Sequence, residues 1–104
     1  MSDKTWHKVA DLDELAENEC KMANAGNKPV AIARTGDGYH ALDNKCLHLG
    51  GPLGQGSVEE GHIICPWHGR AYNLRTGECM NVEERINVHK IEVRDDGIFV
   101  LTND

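Results

Sequence analysis

The chain is short of the residues that build large cores. Only five of its 104 residues are aromatic (Trp6, Trp67, Tyr39, Tyr72 and Phe99), and only three are proline. A chain this small leaves much of its surface exposed, so it gains from an added staple. No apolar run reaches the ~18 residues of a membrane-spanning helix, so none is expected. The opening Met1-Ser2-Asp3-Lys4 runs into polar sequence without the apolar h-region of a signal peptide, and the expected compartment is the cytoplasm. Basic residues are scarce too: 11 Lys and Arg against 17 Asp and Glu, a net charge of −6. A nucleic-acid binder needs the opposite balance, because it must displace counterions from phosphates. The acidic surface suits solubility and docking to a basic face on a protein. Four cysteines in a reducing compartment read as metal ligands and free thiols before they read as a disulfide framework.

What is abundant is glycine, with eleven, which favours turns over long helices. Strands are predicted over 5–10, 20–25, 29–34 and 39–42, with turns at 26–28 and 35–38. A short helical turn is predicted over 11–16, with Asp11 as its cap. The texture changes at Asn44: from there to Gly56 come four glycines, one proline, one Cys and one His, which is loop chemistry. Strands resume at 61–65 and 71–73. The segment 84–94 alternates through Ile86, Val88, Ile91 and Val93 with a slip near His89, and 98–101 closes the chain. The fold class is all-β: one domain over 1–104, with a loop-rich insert over about 44–80.

Two loops carry the chemistry. The first is Lys45-Cys46-Leu47-His48-Leu49-Gly50-Gly51-Pro52-Leu53, and the second is Cys65-Pro66-Trp67-His68-Gly69-Arg70-Ala71-Tyr72. Each offers one thiolate and one imidazole. Two ligands within four residues of a tight turn can point the same way without long-range accuracy. Glycines at 50, 51 and 69 would let backbone N–H groups approach a bound anion. Pro52 and Pro66 stiffen the turns. A Cys₂His₂ zinc site is the competing reading, but a zinc finger wants a Cys pair and then a His pair. Cys20 and Cys79 fall outside the pattern and are expected to be buried structural thiols. His7, His40, His62 and His89 are expected on strands as surface or satisfied residues.

C-x-H-x-G-G-P-L followed by C-P-W-H-G closely resembles the two loops of Rieske proteins, above all the small soluble Rieske ferredoxins. The resemblance implies an antiparallel β-sandwich base with an inserted cluster-binding subdomain. It implies one Rieske-type 2Fe-2S cluster, with Cys46 and Cys65 on the inner iron and His48 and His68 on the outer one. Leu49, Gly50, Gly51, Pro66, Trp67, Gly69 and Tyr72 would surround it. It further implies a soluble, monomeric electron carrier rather than an enzyme. Such a carrier takes single electrons from a flavin reductase and passes them to a terminal oxygenase of a ring-hydroxylating dioxygenase system. The small subunit of a nitrite reductase-like enzyme and a zinc-stabilised interaction module are the alternatives.

The ligand set has a consequence for potential. Two ferric ions, two sulfides, two thiolates and two neutral imidazoles sum to zero charge, so an added electron meets no standing negative charge. Such centres lie at roughly −150 to +300 mV, against about −400 mV for the all-Cys plant type. High-potential relatives add a disulfide between the loops and a Ser after the H-G. Here neither loop has a second Cys, and Arg70 stands in the Ser position. Tyr72 matches the family's tyrosine donor to a ligand sulfur. A potential in the lower half of the window is therefore expected. The family often covers the cluster with a proline-bearing third loop. This chain has no proline there, and 80–84 is the expected cover.

Overall fold

The computed structural model describes residues 4–44, 52–67, 69–80 and 83–103. Its strands are β1 (Lys4–Ala10), β2 (Glu19–Ala25), β3 (Lys28–Thr35), β4 (Gly38–Asp43), β5 (Ser57–Glu59), β6 (His62–Ile64), β7 (Ala71–Asn73), β8 (Val88–Arg94) and β9 (Gly97–Asn103). Six form one antiparallel sheet in the order β1-β9-β8-β4-β3-β2, and β5-β6-β7 form a second, smaller one. The large sheet curls until its edge strands β1 and β2 meet. Strand twist drives such a curl, and the register shift between Lys8 and Ala10 in β1 sharpens it. The all-β reading, with a strand-rich base carrying an insert, is therefore borne out.

Strand β3 shows why two layers form. It is buried on both faces, and its alternation sorts residues by size. Val30 and Ile32 point into the curl, against Val9, Leu15, Ile98 and Val100. Ala31 and Ala33 point the other way, against Leu53, Ile63, Tyr72 and Leu74 of the insert. Large side chains fill the base, and small ones let the insert come close. This period of two follows from strand geometry alone.

Three expectations are corrected. Residues 11–16 make turns and bends, not a helix, and the expected cap is reversed: the Glu14 carboxylate accepts from the Asp11 N–H at 3.0 Å. Glu14 also pairs with Lys21 of β2, Leu15 is buried in the base, and Arg34 Nη1 donates to Leu15 O at 2.9 Å. Tertiary anchoring thus outweighs an isolated helical turn, which gains little on its own. Strand β8 begins at Val88 rather than Glu84, and Val88 and Val93 are exposed while His89 and Ile91 turn inward. Along the strand the partner changes: Val88 and His89 pair with β4, and Lys90 to Arg94 with β9. Finally, the loop-like stretch contains a 3-10 turn at Leu53–Gln55, and β5 follows at Ser57. With three residues and one buried side chain, β5 has no periodicity to read.

Candidate metal centre

The second ligand loop joins two paired strands. β6 and β7 are in register through Ile64 and Ala71, and Cys65 follows β6 directly. The loop closes on itself: the Cys65 N–H donates to Arg70 O at 2.8 Å, and the Gly69 N–H donates to Cys65 O at 3.0 Å. The Gly69 N–H is therefore spent on the loop rather than left for a bound anion. Both backbone groups of Cys65 are engaged, so its thiol is held by backbone on a fixed stem. The residue is 1% exposed and packs with Leu53, Val58, Ile63, Tyr72 and Cys79. Its inner side is thus a dry apolar floor, which limits water access and lowers the local dielectric. Tyr72 is wholly buried in that floor, opposite Ile63. Pro66 is exposed and Trp67 is 55% exposed, so the indole faces outward on the loop instead of packing beneath it. His68 lies outside the described residues.

Cys46, His48, Leu49, Gly50 and Gly51 of the first loop also lie outside the described residues. Its two stems do not. Asn44, at the end of β4, accepts from the Leu53 N–H with its backbone carbonyl (3.3 Å) and from the Gly54 N–H with Oδ1 (2.7 Å). One side chain thus clips the start of the loop to its end. Beyond the clip, Gly54 lies against β2 so closely that a Cβ there would sit 2.4 Å from Met22 N. Cys20 of β2 donates its S–H to Gly56 O at 3.4 Å. Burial, with Glu19 adding to it, pushes this thiol up and keeps it protonated, as a structural thiol should be. Asp43 braces the stem from behind, bonding His89 Nε2 (2.7 Å), Asn87 Nδ2 (3.1 Å) and Lys28 Nζ (3.3 Å). Burial alone would raise this carboxyl; the His89 hydrogen bond and the Lys28 ammonium outweigh it and hold it below the usual range.

Asn44 was legible only as the point where strand texture ends; nothing local marks it as a clip, because its partners are Leu53 and Gly54, beyond the whole loop. Replacing Asn44 with Ala removes the 2.7 Å acceptor and leaves the Gly54 N–H unmet, at a cost of about 1–2 kcal/mol. The expected result is a several-fold faster loss of visible absorbance on incubation with a chelator. Loss at the wild-type rate would show that the clip does not support the loop.

The third segment folds back across β7. Met80 N–H donates to Ala71 O (2.9 Å), and Cys79 N–H donates to Glu84 O (2.8 Å). From it, Glu84 Oε2 meets Arg70 Nη1 at 2.7 Å. Met80 is 68% exposed, while Asn81 and Val82 lie outside the described residues. Among the described residues, no three metal-ligating side chains gather. His40, His62 and His89 each have a hydrogen-bond partner, in keeping with their reading as satisfied residues.

The described half of the site fits an iron–sulfur centre. Cys65 is free of any disulfide, dry on one side, and sits on a loop that opens beside an exposed aromatic. Comparison with known proteins agrees. Residues 5–92 match the family profile of the Rieske 2Fe-2S domain. The chain is 35% identical over 97 residues to the anthranilate 1,2-dioxygenase ferredoxin subunit of Burkholderia cepacia, covering 91% of this chain and 90% of that one. It superposes with TM-score 0.80 and 28% identity on a chain from a complex of reduced oxygenase and oxidised ferredoxin in carbazole 1,9a-dioxygenase, covering 89% and 98%. A proposed NADH-dependent nitrite reductase small subunit from Mycobacterium tuberculosis superposes with TM-score 0.87 over 96% of both chains; at 22% identity it shows the shared fold alone. Among the described residues no helix is long and apolar enough to cross a membrane.

Proposed function

The chain belongs to the Rieske 2Fe-2S domain family, and from that membership we propose that it carries single electrons from a flavin reductase to a terminal oxygenase of the ring-hydroxylating kind. Its cofactor is one Rieske-type 2Fe-2S cluster, which rules out the zinc reading. Like the dioxygenase ferredoxin subunits it resembles, it is an electron-transfer component and not a catalyst. Cys46 and Cys65 would hold one iron, and His48 and His68 the other. When bound, the cluster supplies a one-electron couple. The residues of the chain do the rest. Cys65 anchors the inner side on its closed loop. The floor of Leu53, Ile63 and Tyr72 excludes water. Trp67 offers an apolar contact on the loop's exposed side.

The observation that carries this reading is the buried thiol of Cys65, beside a loop rim that is exposed at Pro66 and Trp67. One side is sealed and the other is open, as outer-sphere transfer to a docked protein requires. The oxygenase as acceptor is supported by the likeness to a chain from an oxygenase–ferredoxin complex. A cytoplasmic monomer, folded as one domain with its cluster subdomain at about 44–80, completes the proposal. The nitrite reductase subunit reading has likeness of fold in its favour but no observation at the site.

Purified protein is expected to contain iron and acid-labile sulfide in equal amounts. Potentiometric titration is expected to place its midpoint below about +100 mV, roughly mid-window. Mixed in a stopped-flow cell with a ring-hydroxylating oxygenase, the reduced protein should reoxidise as the oxygenase becomes reduced. Absence of iron and sulfide even after anaerobic reconstitution would overturn the proposal. Stable copurification with a large reductase, without transfer to any oxygenase, would replace it with the subunit reading.

A further inference from the structure

Among the described residues, an ion pair between Arg70 and Glu84 joins the second loop to the third segment, and its guanidinium is less exposed than that of a typical surface pair. Arg70 is mostly buried, with 18% of its side chain exposed, and its Nη1 lies 2.7 Å from Glu84 Oε2. Both backbones are fixed: Arg70 O accepts from the Cys65 N–H, and Glu84 O accepts from the Cys79 N–H. Cys79 is itself bridged to Tyr72 in the floor. With fixed backbones and a guanidinium only 18% exposed, the pair is less screened by solvent than one between free surface chains. The neighbouring charges Glu83 and Arg85 are exposed and so are more strongly screened.

We propose that the Arg70–Glu84 pair is a potential-setting element, in which Glu84 cancels the field of a guanidinium fixed beside the centre. The inference rests on the proposed function, since it requires a reducible cluster held partly by Cys65. Its physical basis is simple. Reduction adds one negative charge to the centre, so a nearby cation favours the reduced state and a nearby anion opposes it. Arg70 O accepts from the Cys65 N–H, and in the native pair Glu84 holds the guanidinium at 2.7 Å, so the charge sits on the loop that carries Cys65. Paired, the two charges nearly cancel. Separated by mutation, each acts alone through a medium of effective dielectric about 20. Neither residue is catalytic; both position charge.

The test is a double-mutant cycle read by potentiometry on the holoprotein, with iron and sulfide measured for each variant. Glu84→Gln leaves Arg70 unopposed and is expected to favour the reduced state up to about tenfold, a rise of about 59 mV for a one-electron couple. Arg70→Met leaves Glu84 unopposed and should lower the midpoint by a similar amount. The double variant should return close to wild type, and Arg70→Lys, which keeps the charge, should stay near it. A purely structural role would lower the melting temperature of both single variants without moving their midpoints in opposite directions. Midpoints that do not move, or that move the same way, in variants with full iron and sulfide would overturn the inference. If Arg70→Met does not hold the cluster, Glu84→Gln decides alone: an unchanged or lowered midpoint overturns it. Wild-type protein lacking iron and sulfide would instead defeat the functional reading on which it stands.

Discussion

Cys65→Ser is expected to give colourless protein, with iron and acid-labile sulfide at least tenfold below wild type. The estimate is conservative, because loss of even an outer partner of a metal ligand costs roughly 10–100-fold in affinity. The thiol sits on a stem closed by two backbone hydrogen bonds and backs onto a floor of apolar side chains. Of the other described cysteines, Cys20 is engaged with the carbonyls of Leu53, Gly54 and Gly56, and Cys79 is buried in the apolar floor, bridged to Tyr72. Cys20→Ser and Cys79→Ser should therefore keep their colour. Metal binding is coupled to folding in small domains, so Cys65→Ser should also melt at lower temperature. Full iron content with an unchanged EPR signal in Cys65→Ser would remove this residue from the ligand set.

Gly77→Ala should be strongly destabilising. Gly77 lies at φ +80°, where an L side chain is strained, and a Cβ there would stand 2.1 Å from Ile86 O. That oxygen belongs to the backbone and cannot swing aside. The same residue donates to Asn73 O (2.8 Å) and accepts from the Ile86 N–H (2.9 Å), so it welds the turn after β7 to the stretch entering β8. Strain and collision together should cost about 3 kcal/mol. For a domain of this size that is a fall in melting temperature of roughly 12–24 °C. Gly61→Ala is the control: its φ is +76°, but nothing lies within 4 Å of the added Cβ. It should show only the backbone cost, about 1 kcal/mol. Equal losses in the two variants would mean that the collision at Ile86 O is relieved by a shift of the chain.

Much of the base was legible because its strands are long enough to show a period of two. Residues 20–25 and 29–34 were read to within a residue or two of β2 and β3, and 71–73 matched β7. The strand β5 was not legible, since three residues carry no period. The helical turn at 11–16 was misread because its local signals were real but weaker than the pull of Leu15 into the core. Val88 and Val93, read in the same alternation as Ile91, are exposed; they lie toward opposite ends of β8, where Val88 pairs with β4 and Val93 with β9.

Sequence alone supplied the candidate ligands and the family, because C-x-H and C-x-x-H are contiguous: each loop carries a Cys and a His within four residues, whatever the rest of the chain does. Only the tertiary structure decided how the stems are held. The Asn44 clip, the close approach of Gly54 to β2 and the Arg70–Glu84 pair join residues 9 to 32 positions apart. Contacts at that separation depend on how the curled sheet and the insert pack on each other, and no local pattern of residues encodes them.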